Sequence, residues 1–187
     1  WHPRRPPMIE NPSRRALAVG VVGLTTAAAM SRAVAQTAAA GGNWFDMVKA
    51  HHAMIAHNFD EIDGSQGDPA RAMMLFKRQS YLLTAHSVGE ENVLYPAIAR
   101  MGMKADSDHL YIDQAHAKVL NSDIEVMMKD HKRWREDQAT LKAAVLHHAK
   151  VDEEANLFPR LMAASTAEQN AMMTAAYARE FARVGRA

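Results

Sequence analysis

Two stretches of the chain carry the same residue types in nearly the same order: HSVGEENVLYP at 86–96 and HHAKVDEEANLFP at 147–159. Each has a histidine, a Glu-Glu pair and an aromatic residue followed by proline. His86 and Glu90 are four positions apart, so on a helix they share a face. An imidazole and a carboxylate on one face are donors for iron, manganese or zinc. Cysteine is absent, which excludes thiolate metal sites, disulfides and a cysteine nucleophile.

The repetition extends upstream, where HAMI at 52–55 matches HAKV at 116–119. Each half of the chain therefore reads as a helix with one inward histidine, then a helix with a histidine and a carboxylate. EENVLYP aligned on EEANLFP sets Glu90 opposite Glu153 and Pro96 opposite Pro159. Two such halves brought face to face would give a two-metal site drawing on His52, His86, Glu90, His116, His148 and a carboxylate of the fourth helix. A lone histidine is more often a surface or hydrogen-bonded residue than a ligand; the repeated spacing sets these apart.

Spacing leaves some positions open. His51 adjoins His52 and only one is expected to face inward; the match of His52 and Ile55 to His116 and Val119 favours His52. His57 falls on another face, and His147 is expected to face solvent. From His148 to Glu153 is five residues, about 500° at ~100° per residue, which leaves the two ~140° apart on a regular helix. Asp152, four after His148, aligns better, whereas Glu153 is in register with Glu90.

The surrounding apolar residues set these groups on helices. Phe45, Val48, Ile55, Phe59 and Ile62 recur at helical spacing from Trp44 onward. DGSQGDP at 63–69 breaks the pattern, with Asp68 as a cap and Pro69 at the first helical position. A second helix runs through Leu75, Leu82 and Val93 towards Pro96. Gly102 is a stop signal, and Asp106 or Ser107 a cap for a third helix with Val119, Ile124 and Met127, ending near 129–132. The fourth passes Leu141, Val145 and Leu157 to Pro159, and Ser165 with Glu168 reads as a capping box for a fifth reaching Phe181. The pattern predicts an all-α fold: an up-down-up-down four-helix bundle at 43–164 with an additional C-terminal helix at 165–187.

Charge is segregated. Residues 1–35 hold five Arg and one Glu, whereas 36–187 hold 17 Lys and Arg against 20 Asp and Glu. A mildly acidic body gives no electrostatic case for nucleic acid binding. Residues 1–42 read as an export signal and linker. Arg14 and Arg15 precede a short apolar run at 16–30 and a small-residue site at Ala33, Val34 and Ala35. SRRALA resembles a twin-arginine motif, Met8 is the expected start, and the mature chain is expected in the bacterial periplasm, without a membrane span. No phosphate loop, nucleotide fingerprint or Ser/His/Asp arrangement occurs.

The doubled motif, over about residues 44–163, resembles the hemerythrin and hemerythrin-like (HHE cation-binding) family. The resemblance implies a four-helix bundle around two non-haem iron ions, held by His52, His86, His116 and His148 with Glu90 and Glu153 as bridges. The family's fourth helix typically has a five-residue step, which implies Glu153 rather than Asp152 and a one-residue π-bulge between His148 and Glu153. Oxygen-carrying members have a fifth histidine one turn before the third-helix ligand, where this chain has Ile112. His109 lies seven before His116, and His57 or Tyr111 are other candidates for the gap. The expected function is binding of O2, peroxide or nitric oxide. A peroxide-consuming oxidoreductase and a metal store are the alternatives.

Overall fold

The computed structural model describes residues 42–65, 67–126 and 131–184, so the expected leader lies almost wholly outside the described residues. The described chain is all-helical, without strands, and forms five rods. The first is α1 (Trp44–Gly64). The second joins α2 (Pro69–Gly89), a π-helical segment (Glu90–Leu94) and α3 (Tyr95–Arg100). The third is α4 (Lys104–Val126). The fourth joins α5 (His131–His147), a second π-helical segment (His148–Leu157) and α6 (Phe158–Ala164). The fifth is α7 (Ala167–Val184). None of the described helices is long and apolar enough to cross a membrane.

The rod ends follow local chemistry. The Asn43 side chain accepts from the amide of Asp46, and the Asp68 side chain accepts from that of Arg71 with Pro69 next in the chain. Gly102 takes a φ of 84°, a left-handed conformation that ends α3 without a Cβ clash. Two caps differ from expectation. The helix α4 begins at Lys104, and Ser107 lies inside it, donating to the carbonyl of Tyr95. The capping box of α7 is Thr166 with Gln169: each side chain bonds the other's amide, one position on from Ser165 and Glu168. The expected end of the third helix falls largely on 127–130, outside the described residues.

Two apolar clusters hold the rods together. One gathers Trp44, Leu94, Ile98, Leu110, Phe158 and Phe181; the other gathers Ile55, Phe59, Phe76, Leu82, Ile124 and Leu141. Each fully buried side chain of this size contributes roughly 1.5–3 kcal/mol by leaving water. The helix α7 packs along α1 and α2. Trp44 ties it down, donating from its backbone amide to Thr174 and from its indole to Asn170.

The inner face of α4 is Ser107, Leu110, Gln114 and Ile124. That register leaves Val119 62% exposed, against the expectation of a core residue. The HAMI and HAKV stretches thus differ in orientation: Ile55 is buried where Val119 faces solvent.

Candidate metal centre

In four rods the buried apolar stripe is broken at one level by polar residues. His51 and His52 lie between Val48 and Ile55, and His86 and Glu90 between Leu82 and Leu94. Gln114 lies between Leu110 and Ile124, and His148 and Glu153 between Val145 and Leu157. This layer separates the two apolar clusters. Burying so many ionisable groups is costly unless they are paired or hold a cation.

The groups converge. His52 Nε2 lies 3.0 Å from His86 Nε2, 3.2 Å from Glu153 Oε2 and 3.7 Å from Glu90 Oε1. His86 Nε2 is 3.1 Å from Glu90 Oε2. Glu153 reaches the other way as well, with Oε1 3.2 Å from His148 Nε2. Donor atoms of His52, His86, Glu90 and Glu153 all lie within 4.8 Å of one another. Tyr95 sits between the carboxylates, donating to Glu153 Oε1 at 2.7 Å, with its oxygen 3.0 Å from His148 Nε2. Gln114 Nε2 donates to Glu90 Oε2 at 2.6 Å and to the Tyr95 oxygen at 2.9 Å.

Whether the residues fit a metal is answered by their unused atoms. Glu90 Oε1 and Glu153 Oε2 are buried without a hydrogen-bond partner, and both face His52 Nε2. Meanwhile each histidine has a partner for Nδ1: Glu154 for His52 at 2.7 Å, Tyr177 for His86 at 3.0 Å, Asp113 for His148 at 3.4 Å. A histidine held through Nδ1 with Nε2 aimed at carboxylate oxygens is the arrangement of a metal ligand with its supporting bond. The donor set suits iron, manganese or zinc.

The electrostatics are those of the metal-free cluster. Burial pushes the His52 imidazolium down, but contacts with Glu153, Glu154 and Glu90 outweigh it and hold its pKa well above the usual value. His148 behaves alike: burial opposes its charge, the Glu153 carboxylate favours it, and the pKa rises to about 9. Burial would raise the Glu153 carboxyl, yet His148 and His52 bring it well below the carboxylate range. Tyr95 is pushed well above 10, first by burial and then by the charges of Glu153 and Glu90.

No family model matches the chain, and no solved structure matches it. Among curated proteins the chain is similar to a DNA nickase of Nostoc sp. (strain PCC 7120 / SAG 25.82 / UTEX 2576), at 28% identity over 124 residues. That alignment takes in 66% of this chain but 35% of the nickase, so the chain spans about a third of that protein's length.

Five of the six expected ligands, His52, His86, Glu90, His148 and Glu153, are drawn into this layer. His116 is not: it is exposed and lines the mouth of a cavity of ≈ 330 Å³. The position facing Glu90 from α4 is taken by Gln114. The cavity reaches inward between α2, α4 and α5 to His52, His86 and His148, past walls of Leu83, Ala117 and Val145. The five-residue step from His148 to Glu153 is absorbed by the second π-helical segment, which turns Glu153 inward and Asp152 outward. The first π-helical segment, from Glu90 to Leu94, was not foreseen; within it Glu90 and Tyr95 come together across five positions.

His51 corrects the idea that only one of the adjacent pair is inward. It is buried too, on the side of α7, 2.8 Å from the Tyr177 oxygen and stacked on Phe181. The Tyr177 ring occupies the space a side chain would fill at Gly89, where a Cβ would lie 2.7 Å from its Cε2. His57 is 69% exposed beside Glu61, Ile112 faces solvent, and Tyr111 donates to the carbonyl of Glu91. Gln114, Tyr177, Glu154 and Asp113 escaped the sequence reading as partners of the site. A signal existed for Gln114, a polar residue in the stripe of Ser107, Leu110 and Ile124.

Proposed function

We propose that this protein is a non-haem di-iron protein of the hemerythrin-like kind, an up-down-up-down four-helix bundle with α7 alongside, that binds O2, peroxide or nitric oxide. The observation that carries the reading is the pair of buried, unpartnered oxygens, Glu90 Oε1 and Glu153 Oε2, set among imidazole Nε2 atoms. His52 and His86 would hold one ion and His148 the other. Glu153, whose two oxygens face His52 and His148, would bridge, with Glu90 beside it. When bound, two ferrous ions would supply the electrons for capture or reduction of a small oxidant.

The chain's own residues set what reaches that point. Leu83, Ala117, Ala144 and Val145 give the cavity apolar walls, and its polar lining includes Thr84, Asp113, Lys118 and Asn121 besides Gln114 and the histidines. The Tyr95 hydroxyl gives its single proton to Glu153 Oε1 and so orients the carboxylate that would bridge. With His116 at the cavity mouth and Ile112 facing solvent, α4 places no histidine in the buried cluster. Fewer protein ligands leave more room for water and oxidant, which favours consumption of peroxide over reversible carriage. The test is to reduce the iron-loaded protein, expose it to air or peroxide, and follow the visible spectrum over repeated cycles of deoxygenation. Rapid, lasting oxidation with peroxide loss supports this reading; a long-lived form that returns intact to the reduced state would favour oxygen carriage.

The nickase relative motivates a second reading, metal-dependent phosphodiester hydrolysis at the same cluster. Conversion of supercoiled plasmid to open circles by the metal-loaded protein, lost in Glu153→Gln, would select it.

A further inference from the structure

The second π-helical segment does more than turn Glu153 inward. A helix that absorbs one extra residue carries two neighbouring faces through the same turn. His148 with Glu153 forms the inner pair, and His147 with Asp152 forms an outer pair, also five positions apart. Asp152 of that outer pair meets α4 at His109 and Asp113, themselves four apart on one face. Donor atoms of His109, Asp113 and Asp152 lie within 4.8 Å of one another. His109 Nε2 is 3.4 Å from Asp113 Oδ2, and His147 Nε2 is 3.9 Å from Asp152 Oδ2.

We propose that His109, Asp113 and Asp152 form a second, outer site for a divalent cation, of zinc-like preference, between α4 and the π-helical segment. One imidazole and two carboxylates, with water in the fourth position, are a donor set that zinc accepts in tetrahedral geometry, where bonds of ~2.0–2.1 Å put neighbouring donors ~3.4 Å apart. The 3.4 Å between His109 Nε2 and Asp113 Oδ2 matches that edge. Neither Asp113 nor Asp152 has a Lys or Arg partner among the described residues, although their carboxylates approach each other. Lys118 and Lys150, the nearest basic residues in sequence, pair with Glu91 and Glu154 instead. A cation satisfies both carboxylates at once. His109 is more than 60% exposed, so the site is open and loads from solvent.

The outer site is joined to the buried one. Asp113 Oδ2 lies 3.4 Å from His109 Nε2 and 3.4 Å from His148 Nδ1. Asp113 thus faces an outer cation on one side and orients a buried histidine on the other.

The experiment is zinc binding to the full chain, stripped by chelator, compared with the double variant His109→Ala/Asp152→Asn. His109 is exposed and Asp152 half-buried, and matching thermal unfolding curves check that the fold persists. The parent should take up one Zn²⁺ more than the variant, whatever number the buried cluster holds. With cobalt, the parent alone should show the intense visible bands of a four-coordinate ion at that extra equivalent. Equal zinc uptake by the two proteins would overturn the proposal. So would loss of all bound metal in the variant, which would assign these residues to the buried centre. Should the di-iron reading fail while one zinc-dependent difference remains, the outer site stands by itself.

Discussion

Tyr177 holds two histidines through one oxygen, 3.0 Å from His86 Nδ1 and 2.8 Å from His51 Nδ1, with its ring seated against Gly89. Tyr177→Phe keeps the ring and removes the oxygen, so His86 loses its supporting bond. Metal affinity should fall about 10–100-fold while the helices stay packed. Unchanged affinity in an equilibrium zinc titration would remove Tyr177 from the site. Gly89→Ala acts on packing instead: a Cβ 2.7 Å from the ring should cost about 1–3 kcal/mol of stability in denaturant unfolding. The raised pKa values of His52 and His148 bring a pH signature. Both exceed the unfolded value near 6.5, so in metal-free protein their stabilisation is complete below ~6.5 and is lost as pH rises, for His148 through about 9. His148, with a pKa of about 9, is protonated at pH 7, and His52 is shifted in the same direction, so metal loading should release protons, measurable as buffer-dependent binding heats. No proton release would mean the imidazoles are already neutral. Of these residues the sequence spelled out the ligand types but not Tyr177, because a partner 91 positions from His86 has no local pattern.

The helices were legible from apolar spacing and from Asp68, Pro69 and Gly102, since those signals are local. Their rotation was less so. The HAMI and HAKV likeness suggested that His116 would face inward as His52 does, but α4 is set by Ser107, Leu110, Gln114 and Ile124, two of them apolar anchors in opposite clusters. Burial of Leu110 and Ile124 outweighs one histidine's orientation. The five-residue step in the fourth rod was legible through the family resemblance and the register with Glu90; helix spacing by itself favoured Asp152. If the widening absorbs one surplus residue, deleting Val151, 49% exposed, should relax the turn to α-helical bonding and keep His148 four positions from Glu153, like His86 and Glu90. Metal binding should persist with equal or higher stability. A variant that folds but binds no metal would contradict that account of the segment.

Two apolar clusters clamp the polar layer, and α7 closes one side of it. Truncation after Ser165 should expose the Trp44 and His51 side of the molecule, remove Tyr177 and Phe181, and lower both the unfolding temperature and metal affinity. Full metal affinity in the truncated chain would make α7 an ornament to the site. We propose that the buried cluster holds two ions joined by carboxylates. The most direct test of this is Mössbauer spectroscopy with metal analysis on anaerobically iron-loaded protein, using the His109→Ala/Asp152→Asn background to exclude the outer site. Two irons per chain with magnetically coupled spectra after oxidation are expected, and Glu153→Gln should deplete both together. A single iron per chain, or spectra of isolated ions, would contradict the di-iron account.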